Sequence, residues 1–470
     1  MRGGVHDEQR AARGAQGGLI GPPMDPSLYP RLRRGRHGRG GPSAEDVAEN
    51  QRARLAGAIV GVLAEHGYEG LRTRLLCERA GVSKEALYCL YKGGVHECFM
   101  AVFGQIEEAL VERLTAAWLE GEEPQECVAL MVVAFVEAVA NEPAAARLAL
   151  CEPFAAGTGA TGAVQAAEGR LRELLATGLE AHGVRRAPVA IRAVVAGLGS
   201  VARARLFAGR ERELPEQAGE LARWACCCLE APEPGQHRIE GVRLGYQPSA
   251  ALLARAGRPA ESERVRILAA TAALAAERGY AGISERAIRE RAQVTCKQFR
   301  EQFACEHAAF VGVLESMWAR SLRHATKIGL AGPDWPRGCV RGITALVGCI
   351  VEDPFFARWA FTEMSSVGGR DGVRDGTRLM SAGAHQFRAG APARMRPSLP
   401  AAEASVAAAW AVALDQIEQG GHRNLVAAAP TISFIGIAPA IGSRRAAEAV
   451  NATPASRRLT GSGERRPAAS

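Results

Sequence analysis

The stretch AEHGYEGLRTRLLCERAGVSKEALYCLYK, residues 64–92, decides the fold. Its apolar residues recur at helical spacing, and its breaks fall where helices stop. Just upstream, Leu55, Ile59, Val62 and His66 share one helical face that ends at Gly67. A second helix is predicted to end at Ala80, where Gly81 supplies the positive φ that a tight turn needs. Ser83 then caps a short third helix. On that helix Leu87, Leu90 and Tyr91 face inward, while Lys84, Glu85, Tyr88 and Lys92 face out. A helix, a tight turn and a helix with a polar outer face make a helix-turn-helix pattern. Its second helix fits a groove about 12 Å wide. From Arg72 to Lys92 five basic side chains stand against two acidic ones, a local +3 that favours phosphate.

The same pattern returns further along the chain. AERGYAGI begins at Ala276, 212 residues after AEHGYEGL at Ala64, and RERAQVTCKQFREQF at Arg289 keeps that offset from CERAGVSKEALYCLY at Cys77. Beyond this point the offset is 211: Phe99 matches Phe310, and NEPAAARLALCE from Asn141 matches EDPFFARWAFTE from Glu352. Gly209, Arg212 and Leu214 match Gly420, Arg423 and Leu425, and Gly93-Gly94 is the expected site of the one-residue difference. A match over about 190 residues reads as a tandem duplication of a whole module. Both copies read as helical throughout. Phe99, Phe103, Ile106, Leu110, Leu114 and Trp118 form one apolar stripe, and Phe310, Leu314, Met317 and Leu322 form another.

The expected fold class is therefore all-α, with two units that each join a three-helix head to a larger helical domain. The first head is placed at 45–96 and its larger domain at 97–230, followed by a linker at 231–258. The second head is placed at 259–307 and its larger domain at 308–442. Residues 1–44 and 443–470 are expected to be disordered, and Met24 is a candidate start because Met1–Pro23 shows no pattern.

The chain has 470 residues and a formal charge of +8, located mostly at its ends. Residues 1–44 carry +5 and residues 443–470 carry +4, so the remainder is close to neutral. Arg31, Arg33, Arg34, Arg36 and Arg39 are either a minor-groove arm or a solubilising tail. The twelve Cys are scattered, no signal peptide pattern follows Met1, and no run of about 18 apolar residues is evident. A cytoplasmic protein with no membrane partner is the expectation.

The segment 64–92, followed by ECFMAVF from Glu97, resembles the amino-terminal domain of the TetR (tetracycline-repressor-like) family of transcriptional regulators. AGVSKEALY resembles the start of that family's recognition helix. The resemblance implies that Tyr88 and Lys92 contact DNA phosphates, that Lys84 and Glu85 face base edges, and that Arg74 lies near the backbone. It also implies that the larger domains sense a ligand and dimerise. Arg72 departs from the pattern, standing where a Thr cap is usual, and Thr73 is expected to cap one residue later. In the second head Ser284 restores the cap, but Gln293 replaces the turn glycine, a cost on the order of 1 kcal/mol. Arg300 replaces Tyr88 and Ala304 replaces Lys92. Arg286, Lys297 and Arg300 still face out there, with Phe299 and Phe303 inward, and Ser284–Ala304 carries +2.

The remaining motifs point away from catalysis. Cys226-Cys227-Cys228 cannot converge on one metal, because neighbouring helical residues point about 100° apart, and they read as small packing residues. Cys77 has the same reading. No phosphate-binding loop, nucleophile elbow or paired-His spacing occurs, so neither an enzyme nor a cofactor is expected. Glu152 and Glu363 recur with Arg147 and Arg358 five residues earlier, which predicts a structural charge network. The function expected is sequence-specific binding of operator DNA by a small-molecule-responsive regulator, most often a repressor in this family. The rival is a ligand-sensing or scaffold protein with at least one inactive head. Unlike reading helices predict an intramolecular pseudo-dimer on an asymmetric site, with a homodimer on a palindrome as the alternative.

Overall fold

The computed structural model describes residues 42–232, 247–255, 261–329, 334–363 and 369–453. Every regular element among them is helical, so the protein is all-α. The described residues up to Arg185, with Leu198–Cys226, form one compact unit. Arg186–Gly197 and the described residues from Cys227 onward form the second.

The first unit opens with α1 (Ala44–His66), α2 (Thr73–Ala80) and α3 (Lys84–Leu90). Each boundary has a local chemical cause. Ser43 and Asp46 form a reciprocal capping box at the start of α1, with hydrogen bonds of 2.7 and 3.0 Å. Gly81 ends α2 at φ 58, ψ 39, left-handed backbone that a Cβ disfavours. Ser83 Oγ accepts the Ala86 N–H at 3.1 Å and starts α3. The expected cap at Thr73 is not formed: Thr73 is the first helical residue, and Arg72 precedes it without a side-chain cap. Arg72 instead donates to the Glu69 and Leu71 carbonyls. Leu55, Ile59, Leu76, Leu87 and Phe99 are fully buried, each side chain contributing about 1.5–3 kcal/mol of transfer free energy. Arg79 clamps α2 to α1 through two bonds to Glu65, at 2.7 and 2.8 Å.

The rest of the first repeat runs through α4 (Gly94–Leu119), α5 (Pro124–Asn141), α6 (Pro143–Leu150), α7 (Thr158–Ala181), α8 (Pro188–Ala208) and α9 (Leu214–Leu229). The stripe Phe99, Phe103, Ile106, Leu114 and Trp118 is buried along α4.

The second half begins with a short α10 (Pro248–Leu253), then α11 (Glu263–Arg278), α12 (Glu285–Ala292), α13 (Cys296–Gln302) and α14 (Glu306–Gly329). It continues through α15 (Trp335–Glu352), α16 (Pro354–Arg358), a π-helical turn at Trp359–Glu363, α17 (Gly369–Ala389), α18 (Leu399–Gly420), α19 (Leu425–Ile441) and α20 (Ser443–Ala452). The head is built as its counterpart is. Gly279 ends α11, Ser284 and Thr295 cap α12 and α13, and Arg291 clamps Glu277 at 2.8 Å. Gln293 takes the left-handed turn position at φ 54, ψ 51, a non-glycine residue in a region where a Cβ is strained.

Three expectations need correction. Part of the stretch 231–258 is not a linker: α10 buries Leu252, and Ser249 is fastened to Asp353 through both its N–H (2.8 Å) and its hydroxyl (2.7 Å). The disordered tail does not start at 443, because α20 buries Ala446, Ala449 and Val450. Two helical stretches, Pro124–Asn141 and His422–Ile441, are long and apolar enough to cross a membrane by length and composition. In both, many of those apolar residues are buried inside the fold, as Cys127, Val128, Phe434 and Ile435 illustrate. The Arg31–Arg39 cluster lies outside the described residues.

Candidate nucleic-acid interface

The outer face of α3 presents Lys84, Glu85 and Tyr88 to solvent, and Lys92 follows on the exposed connection to α4. Among the described residues, Lys84 and Lys92 have no carboxylate within ion-pair distance. Tyr88 is 50% exposed, and it and Leu119 are the only large hydrophobic residues so exposed among those described. A ring held out of the core at that cost is free for a partner. Its position is fixed from below. Gly94 sits at φ 66, and a Cβ there would lie 3.0 Å from Tyr88 Cε1, so a side chain would be strained twice over. Gly93 N–H donates to Glu97 Oε2 at 2.6 Å and closes the turn. Four residues, Lys92 to Val95, separate Tyr91 from His96 here, whereas three, Ala304 to Glu306, separate Phe303 from His307 in the second head.

Other groups hold this face in one protonation state. Hydrogen bonds from its own backbone N–H and from Ser83 keep the Glu85 carboxyl below its usual range, so it stays anionic. Burial pushes the Tyr91 hydroxyl up to about 12 and leaves it an uncharged packing group. Arg74 is exposed at the start of α2 and pairs with Glu78 at 2.7 Å. A shallow depression joins the starts of α2 and α4, lined by Arg72, Thr73, Tyr88, Gly94 and His96 among others. Sequence reading missed His96, although the signal was present: a His lies at the same place in both repeats.

The second head puts Arg286, Lys297 and Arg300 on its surface as expected, but each faces a carboxylate of its own head. Arg286 pairs with Glu290 at 2.8 Å, Lys297 with Glu301 at 4.0 Å and Arg300 with Glu285 at 3.8 Å. Phe299 and Phe303 fill the inner face.

The heads are also fastened differently. Tyr68 and Tyr280 each pack edge-on against a Phe of the following long helix, Phe99 at 5.0 Å and Phe310 at 4.7 Å. Each hydroxyl meets a His Nδ1, at 2.9 Å for His96 and 3.4 Å for His307. In the first unit the Tyr68 N–H donates to the buried Glu152 carboxylate at 2.8 Å. In the second, His307 Nε2 lies 3.2 Å from Asp375 on α17. The charge network expected around Glu152 is thus a tie to the head, while Arg147 donates to the Leu206 carbonyl. Glu363's side chain lies outside the described residues; Arg358 donates to the Ala275 carbonyl at 3.2 Å.

Cys228 is buried, which raises its thiol pKa, and Cys226 and Cys227 are half-buried, with Cys226 Sγ donating to the Gln125 carbonyl at 3.8 Å. Among the described residues no cluster of three or more His, Cys, Asp or Glu side chains is placed to hold a metal ion.

No family model and no curated protein matches this chain. Among solved structures it is similar to the transcriptional regulator FadR from Bacillus subtilis in complex with stearoyl-CoA, at 15% identity and TM-score 0.34, over 37% of this chain and 96% of that one. It is similar to the fatty acid degradation regulator FadR from Bacillus halodurans at 17% identity and TM-score 0.34, over 37% and 94%. A TetR-like transcriptional regulator from Rhodococcus sp. RHA1 matches at 25% identity and TM-score 0.31, over 38% and 95%.

Proposed function

We propose that this chain is a sequence-specific DNA-binding transcriptional regulator in which the first head supplies most of the affinity. One observation carries the reading: α3 follows a left-handed glycine turn and presents an exposed Lys84 and Tyr88, with an exposed Lys92 just after it, and neither lysine has a carboxylate within ion-pair distance among the described residues. Unpaired cations gain most from replacing the counterions of a phosphate backbone, and a projecting helix of this kind suits a major groove. Tyr88 and Lys92 would bind phosphates, Lys84 and Glu85 would meet base edges, and Arg74 would lie beside the backbone. The test is retention of genomic fragments across a salt series. A discrete set of fragments held with a steep salt dependence supports the regulator, and equal retention of all fragments, or none, refutes it.

The rest of the reading follows from that one. The protein acts in the cytoplasm, as a repressor released by a small-molecule effector that binds the two states unequally. The two repeats work as an intramolecular pseudo-dimer on a site with unlike halves. Support comes from the unlike outer faces of the two heads, where Lys84, Glu85 and Tyr88 stand at the positions of Cys296, Lys297 and Arg300. Tethering replaces association with a high effective concentration. Footprinting on a selected operator, with light scattering on the same sample, tests it. A homodimer on a perfect palindrome contacted only by the first head would sink the pseudo-dimer.

A second reading is favoured by the pairing of Lys297 and Arg300 with Glu301 and Glu285. Under it the second head no longer reads DNA, and the second unit serves as a sensor or scaffold.

A further inference from the structure

The second unit has a cavity of about 470 Å³, open to solvent on one side, between α14, α15, α17, α18 and α19. That volume falls in the range of about 300–1,000 Å³ typical of small-molecule sites. Its walls are strongly aromatic. Trp318, Trp335, Phe361, Phe387 and Trp410 all line it, so three of the chain's six Trp stand around one space. Trp410 stacks on Phe361 at 4.3 Å and meets Trp318 edge-on at 5.8 Å, which fixes the rings as a wall.

The polar inventory is small. Among the described lining residues there is no Lys, Arg, His, Asp or Glu. The Ser405 hydroxyl already donates to the Ile435 carbonyl at 3.0 Å, and burial pushes the Cys339 thiol up to about 12, leaving it uncharged. Gln386 and Thr326, both exposed to solvent, remain beside the Trp indole N–H groups as groups able to orient a guest. A carboxylate or phosphate carried in among the aromatic walls, away from the open side, would lose its hydration with no counter-charge, and a cation would do the same with no anion.

The first unit differs at the corresponding place. Trp318 matches Glu107 at the 211 offset, and Glu107 is buried and accepts Arg170 Nε–H at 2.6 Å. A charged pair there and an indole here make the two interiors chemically unlike.

We propose that the second unit's cavity binds one uncharged, predominantly apolar molecule, held among Trp318, Trp335 and Trp410 and oriented by Gln386 and Thr326. Its role as the effector rests on the regulator reading above, whereas its occupancy does not. The guest touches α17 at Gly383, Gln386 and Phe387, and the same helix carries Asp375, which holds His307 beneath the second head. Asp375 and Gly383 are eight residues apart, about 12 Å along one helix.

The experiment uses the full-length chain and Nile red, a neutral dye that brightens in apolar surroundings. One dye should bind per chain, with energy transfer from tryptophan that falls in Trp410→Phe. Gly383→Leu should weaken binding at least tenfold. A Cβ at Gly383 starts 3.8 Å from Trp318 and Val406, an ordinary contact, so the added side chain fills space without forcing the wall. Gly162→Leu, on an open helix face of the first unit, should leave binding unchanged. No saturable site, or equal binding in Gly383→Leu with equal energy transfer in Trp410→Phe, overturns the proposal. Displacement of the dye by decanoate or tetraphenylphosphonium more readily than by a neutral hydrocarbon of similar size overturns the uncharged class. Dye bound by a protein that retains no DNA fragment would refute the regulator and leave this site standing. DNA retained with no dye site would do the reverse.

Discussion

The two three-helix heads share a frame and differ in what they leave free. In both, a Gly ends the first helix, an Arg–Glu clamp ties the second helix to it, and a left-handed residue makes the turn. The first head uses Gly81 at that turn, leaves Lys84 and Lys92 without a carboxylate, and inserts a glycine pair that seats Tyr88. The second uses Gln293, sets Glu301 and Glu285 beside Lys297 and Arg300, and has no such insertion, while Arg286–Glu290 repeats the Arg74–Glu78 pair of the first head. Fold depends on the buried face and the turn, so it tolerates these changes. The DNA binding proposed above would depend on net free charge at the outer face, and would not tolerate them. The larger domains differ in the opposite sense: the second has an apolar, aromatic cavity where the first places a buried Glu107 paired with the half-exposed Arg170.

The strongest way to break this comparison is to strip both outer faces. Tyr88→Ala with Lys92→Ala should lower operator retention on the order of tenfold to a hundredfold, since bonds to charged groups contribute about 1.5–3 kcal/mol each. The salt slope should fall by about 1 for the lysine. Lys297→Ala with Arg300→Ala should cost less than about threefold, because those cations already face carboxylates. A larger loss from the second pair would reverse the assignment of the heads.

The turns can be exchanged. Gln293→Gly should stabilise the second unit and Gly81→Gln destabilise the first, each by about 1 kcal/mol. Thermal unfolding of the whole chain would read both, and shifts of the same sign would show that the left-handed positions are not equivalent. Glu285→Gln with Glu301→Gln should free Arg300 and Lys297 and raise the second head's retention of DNA about two- to threefold. No gain would mean that lost side chains, rather than neutralised ones, separate the heads.

Acid should loosen both heads in parallel. Arg79 and Arg291 hold the Glu65 and Glu277 carboxyls below their usual range. A depressed carboxyl contributes stability above its unfolded pKa, and that stability is lost as pH falls through the folded value. Hydrogen exchange at pH 7 and pH 3 should show the loss in α2 and α12 together, and protection lost in only one would end the parallel. The smallest effect is expected from Cys226, Cys227 and Cys228 changed to Ala, which should leave DNA retention indifferent to oxidant and chelator. A metal at stoichiometric level in the purified protein would overturn their packing role.

The local order of both heads is legible in the amino-acid sequence. Helix faces, caps at Ser83 and Ser284 and the left-handed turn follow from periodicity and from which residues tolerate positive φ, and these are properties of a few neighbours. The outward faces of Lys84, Tyr88, Lys297 and Arg300 were legible for the same reason. The partner of Arg300 emerges only in the packed fold, because Glu285 reaches it from a different helix, whereas Arg286–Glu290 and Lys297–Glu301 are i,i+4 pairs already present in the spacing. The packed fold alone showed that part of 231–258 docks as α10, that 443–452 is helical, and that Trp318, Trp335 and Trp410 surround one cavity. Those outcomes join residues from 15 to about 100 positions apart, and spacing along a chain carries no information about which distant side chains meet once the backbone has packed.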